Sequence, residues 1–202
     1  MTSHVESLLK TPLGFVLLPT ALGFLGGAIV YLAANLVLAR RGAKHRKRSG
    51  DQQPSEQEQS GSGAAIAIGA LLDGVPESVV LGLSLLGGGS VSLSVLAAVF
   101  ISNVPEGLSS AAGMKHNGRS ARYVFGVWGG IALASGVAAL LGYVLLGGAP
   151  PQVEAVITAI AAGAILTMIA DTMIPEAFEN THAWTGLITT VGFLTAFAIS
   201  VA

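Results

Sequence analysis

The chain contains no cysteine, which excludes disulfides, thiolate metal sites and cysteine nucleophiles. Charge is nearly as scarce: only 10% of the 202 residues are Asp, Glu, Lys or Arg, while 52% are hydrophobic. A soluble domain carries roughly 25% charged residues, so this composition belongs to a membrane protein. Histidine is missing from every long apolar run; His4, His45, His116 and His182 fall in expected termini or loops. No glycine-rich loop closing on Lys-Ser or Lys-Thr occurs, which excludes a P-loop nucleotidase. Nine of the ten Lys and Arg lie within 40–48 and 115–122. Nucleic acid is therefore not an expected partner, because it needs a continuous basic face. The opening MTSHVESLLK lacks a basic stretch followed at once by an apolar core and is not expected to be a signal peptide.

What the chain has in quantity is apolar sequence. A spanning helix needs about 20 apolar residues, and six runs qualify as candidates: 13–39, 63–86, 91–113, 123–147, 153–176 and 184–202. The expected fold is all-α, a multi-pass transmembrane helical bundle with six spanning helices in the lipid bilayer. Pro19 is expected to mark where the first membrane helix begins. Tight Gly-rich turns after Leu86 and Leu146 predict two antiparallel hairpins. The chain thus divides into an N-terminal segment with the first helix (1–39), a loop (40–62) and a five-helix core (63–202). The basic half of the loop is expected at the cytoplasmic face, and its Ser/Gln/Glu-rich half is expected to be disordered. The second basic segment, 114–122, follows two spans later and falls on the same side. Both termini are then extracytoplasmic, in a plasma or inner membrane. Small residues spaced by four, as at Gly23 and Gly27 and at Gly126 and Gly130, suit close helix packing. Packing within the bundle is the first reading of these pairs and a homodimer face the second.

Five carboxylates lie inside the apolar runs: Asp73, Glu77, Glu106, Asp171 and Glu176. An ionisable group at bilayer depth costs at least about 2.5 kcal/mol and marks a pathway or binding site by default. Glu77, Glu106 and Glu176 each directly follow a proline. Asp73 and Glu77 are four apart, and Ser102 and Asn103 precede Glu106 by four and three, so each set shares one helix face. At about 1.5 Å per residue, these groups fall in one band about 10 Å tall. Pro76 and Pro105 remove the amides that would bond the carbonyls of Leu72 and Ile101. Unwound backbone at that depth is tolerated only around a cavity or ligand. Oxygen ligands at this density suit a divalent cation. Read alone, any one of these acids fits a hydrogen-bonded structural group, and any one proline fits a packing kink. Pro175 similarly frees the carbonyl of Asp171; Asp171 and Glu176 read either as a cytoplasmic ion exit or as solvated acids at a helix end.

At these residues the chain resembles the ZIP family of divalent-metal transporters. The motifs are Asp73-Gly-Val-Pro-Glu-Ser78, Ser102-Asn-Val-Pro-Glu-Gly107 and Ile174-Pro-Glu-Ala177, similar to that family's paired P-E-G helices and its later P-E-A helix. The resemblance covers the chain as the last six of eight helices, with no counterpart to the first two. It implies a metal site between the two motif helices and movement of zinc, iron or manganese into the cytoplasm. Glu77 and Glu106 match acidic ligands, Glu106 as the bridge, and Asn103 matches a second-site ligand. Asp73 and Ser102 stand where the family often has His, and Gly74 replaces an Asn. An oxygen-only site of this kind is more permissive of harder ions such as manganese or ferrous iron.

The expected function is transport of divalent metal cations, as substrate rather than cofactor, with no organic cofactor and no enzymatic activity. Asp73, Glu77, Asn103 and Glu106 are the expected central site, Ser102 a weaker ligand, and Asp171 and Glu176 the exit. Two other readings stand beside it: a proton-coupled transporter of small organic solutes, and a non-transporting relative. An intramembrane protease is not expected, since no His lies on a span and no Gly-x-Gly-Asp occurs.

Overall fold

The computed structural model describes residues 12–43, 62–116 and 118–201, and every regular element among them is helical. Most of the expected cytoplasmic loop, with His45, lies outside the described residues, as does His4. Helix α1 spans Pro12–Leu38 and ends in a π turn, Ala39–Ala43. It passes through Pro19 without a break, so this proline does not mark the start of the helix. A single proline removes one backbone bond, and the turn around it holds, with Thr20 Oγ1 donating to the Val16 carbonyl at 2.8 Å.

α2 (Ser62–Leu83) and α3 (Leu93–His116) form the first hairpin. Gly87 and Gly88 turn the chain between them at φ 64° and 80°, a region that costs glycine nothing but strains other residues. Ser92 opens α3 by accepting from the Val95 amide at 3.4 Å. α4 (Ala121–Leu146) starts at Ser120, whose Oγ accepts from the Tyr123 amide at 3.2 Å. α5 (Pro151–Met168) begins on a proline, where an amide would have had no partner anyway.

α5 then widens into a π turn, Ile169–Met173, before the short α6, Ile174–Thr181. The Ile174 amide bonds the carbonyl of Ile169, five residues back. Pro175 cannot donate to the Asp171 carbonyl, and the chain absorbs this in a wider turn. The other two motif prolines act differently. α2 and α3 remain helical across positions 76 and 105, so the expected unwinding there does not occur. A tight turn at His182–Trp184 leads into α7, Thr185–Val201.

α1 lies along α5, and α2 lies along α4; α2 also meets α1, α3 and α5. The backbones approach closely where glycine allows it. A Cβ at Gly27 would strike the Ile160 carbonyl, one at Gly163 the Phe24 carbonyl, and one at Gly82 the Ala139 carbonyl. Gly23 and Gly27 therefore do pack within the bundle. Gly126 and Gly130 do not: nothing lies within 4 Å of a Cβ at either.

Three acids, Asp73, Glu77 and Glu176, are buried while many large apolar side chains are exposed. Asp73 is 1% exposed and Phe125 is 78% exposed. That distribution, with backbone satisfied inside helices, fits a chain embedded in lipid. Among the described residues, 4 helical stretches are long and apolar enough to cross a membrane: Val16–Arg41, Ala121–Leu146, Pro151–Glu179 and His182–Val201. The expected six is thus not reached by this measure. α2 and α3, which carry the polar motifs, are not among these 4; the apolar stretch described on α3 is Leu93–Val104, and the side chains at 62–66 and 105–106 lie outside the described residues.

Candidate functional site

α2 presents two buried acids, Asp73 and Glu77, one turn apart as their spacing requires. Burial of both on a single helix needs partners from its neighbours, and two different helices supply them. Asn103 of α3 directs Nδ2 at Glu77 Oε2, 3.4 Å away, and donates more closely to its own Val99 carbonyl at 2.8 Å. The expected meeting of the motif helices is therefore present at Glu77 and Asn103. Asp73 is engaged elsewhere. Its Oδ1 accepts a 2.6 Å hydrogen bond from the hydroxyl of Tyr31 on α1.

Tyr31 was not among the expected site residues. An aromatic in an aliphatic run ordinarily reads as packing, and the Tyr31 ring does pack, against Ala164 and Met168 of α5. The available signal was spacing: Tyr31 and Asn35 are four apart in the first apolar run, so two polar-tipped residues share a face. Tyr31 is 1% exposed and joins three helices at one point.

Ser102 turns inward on its own helix. Its Oγ donates to the Val99 carbonyl at 3.0 Å, the local bonding that serine commonly makes in helices. Gly74, between the two acids, faces α4. An added Cβ would lie 3.2 Å from Ser135 Oγ, so the approach of α4 gives a physical reason for the small residue there. Glu106 lies on α3, but its side chain is outside the described residues. Among the described residues, no group of three or more His, Cys, Asp or Glu is close enough to hold a metal ion.

The third motif separates its two acids. Asp171, on the π turn, is exposed, whereas Glu176 and its neighbour Thr172 are buried. Thr172 Oγ1, Ser110 Oγ on α3 and Trp128 Nε1 on α4 are buried with no hydrogen-bond partner among the described residues. Neither Ser110 nor Trp128 stands in a motif, so only the folded chain reveals them.

A groove of about 800 Å³ runs between α1, α2 and α5, past Gly26, Val30, Leu72, Val75 and Ile160. Its lining is aliphatic apart from Tyr31, which makes it a lipid-like surface rather than an aqueous ion path. No family model matches the chain, and neither curated proteins nor solved structures give a match.

Proposed function

We propose that this chain is a multi-pass membrane protein that moves divalent metal cations through a carboxylate and amide site between α2 and α3. The observation that carries this reading is the Glu77–Asn103 contact across the hairpin, with Asp73 buried one turn away. Carboxylate and amide oxygens are hard ligands of the kind that manganese, ferrous iron and, less selectively, zinc accept. The similarity of the P-E motifs to those of ZIP transporters supports the same cargo. In this reading Glu106 completes the site from α3, and Asp171 and Glu176 lie toward a cytoplasmic exit. The basic segments 40–48 and 115–122 face the cytoplasm, and the site is exposed to the two faces in turn.

Expression of wild type and Glu106→Ala in cells, followed by isotope uptake of zinc, manganese and iron, tests the assignment. Uptake is expected with the wild type and background levels with the variant at equal membrane abundance. Equal uptake by the two discards the site.

A further inference from the structure

α6 has little holding it in place. Eight residues are too few for a helix to be stable alone, and Ile174–Thr181 packs chiefly on the π turn, the His182–Trp184 turn and α7, its own neighbours in the chain. Over positions 174–179 only Glu176 is buried. Few buried apolar contacts mark a segment that opens at low cost.

Both ends of α6 are irregular. At one end, the π turn of Ile169–Met173 and Pro175 interrupt the helical bonding, a common cause of a kink. At the other, His182 stands at φ 47° and ψ −120°, a backbone region that glycine occupies freely and other residues only under strain. One turn before Glu176, Thr172 is 4% exposed, and its hydroxyl has no hydrogen-bond partner among the described residues. Other helical hydroxyls, such as those of Thr20, Thr167 and Thr189, donate to the carbonyl four residues back. A buried hydroxyl without a partner disfavours the arrangement that buries it, relative to one that water reaches.

We infer that α6 is an inner gate, hinged at the π turn and at His182, whose opening admits water to Thr172 and Glu176. Strain at His182 and the unsatisfied Thr172 hydroxyl both raise the closed state in energy, so the gate is poised to open. This inference rests on the cation-transport reading and adds to it the element that exposes the path on the cytoplasmic side.

The chain has no cysteine, so Thr172→Cys reports water at the gate. Its rate of reaction with a small charged methanethiosulfonate is read in sealed proteoliposomes, from the side that labels Ser120→Cys. Glu176→Cys serves as reporter if Thr172→Cys does not insert. Reaction is expected, whereas Thr190→Cys, at an exposed position of α7, stays unmodified within lipid. Adding His182→Gly relieves the strain of the closed state. It is expected to slow both the reaction and manganese entry about tenfold, with manganese affinity unchanged. His182→Ala loses the ring but keeps the strain, and is expected to leave both rates near wild type. A reporter that never reacts, or rates that His182→Gly leaves unchanged, overturns the gate and leaves the cation site standing. Equal slowing by His182→Gly and His182→Ala also overturns it, because the ring rather than the backbone would then be responsible. Wild-type vesicles that take up no manganese remove the transport reading itself, and the gate with it.

Discussion

Asp73 and Glu77 stand one turn apart on the same helix, yet they are held by different neighbours. Tyr31 of α1 reaches Asp73 and Asn103 of α3 reaches Glu77. Spacing along a helix fixes which residues share a face, and the two acids were legible from it. Which neighbouring helix meets each acid depends on packing between segments distant in sequence, and Tyr31 is 42 residues from Asp73. The pair is expected to be energetically coupled. Tyr31→Phe and Asp73→Ala, alone and together, should give a coupling of about 1.5–3 kcal/mol, the usual value for a hydrogen bond to a charged group. Thermal midpoints in detergent measure it, and additive effects would show that the bond contributes nothing to stability. Asn103→Leu is expected to keep the fold and weaken manganese binding, checked by titration, because leucine fills the space but cannot face the Glu77 carboxylate with a polar group.

At the level of elements, three proline motifs with similar sequences have two structural outcomes. Pro175 coincides with a π turn at Ile169–Met173, while α2 and α3 continue helically through positions 76 and 105. The sequence marks each lost backbone bond equally. The response depends on surroundings: α2 is clasped by α1, α3, α4 and α5, whereas the π turn packs chiefly on α5 and α6, its own continuation. Glycines divide in the same manner. Gly27 and Gly163 lie against facing backbone carbonyls across the α1–α5 interface, and Gly126 faces open space. Gly27→Val should therefore lower stability by at least about 1–3 kcal/mol through overpacking. Gly126→Val, on a lipid-facing position of α4, should stay within about 0.5 kcal/mol. Thermal unfolding of the two variants side by side makes the comparison, and equal losses would contradict the packing described.

For the whole molecule, the decisive property is its distribution of polarity, with Asp73, Glu77 and Glu176 inside and Phe125, Leu133 and Phe193 outside. Composition alone announced a membrane protein, and the α2–α3 hairpin followed from glycine punctuation; the hairpin expected after Leu146 does not pack as a pair, since α4 lies along α2 and α5 along α1. The number of spans did not follow so directly. Among the described residues 4 stretches are apolar and long enough on their own, and parts of α2 and α3 lie outside those residues. In the proposed orientation the α3–α4 connection faces the cytoplasm and the α2–α3 turn faces outward. Because the chain has no cysteine, single-cysteine variants report this cleanly. Ser120→Cys is expected to react with an impermeant maleimide only in inside-out vesicles and Ser90→Cys only in right-side-out ones. Labelling of both from one side would overturn the orientation.

The central claim is that Asp73 and Glu77 on α2, with Glu106 on α3, carry a divalent cation across the bilayer. Its most direct measurement is manganese entry into sealed proteoliposomes, followed with an internal fluorescent indicator, for wild type and Glu77→Gln. Saturable entry with wild type and leak-level entry with Glu77→Gln is the predicted result. Entry at the same rate in both, or none above protein-free vesicles with either, would contradict the account.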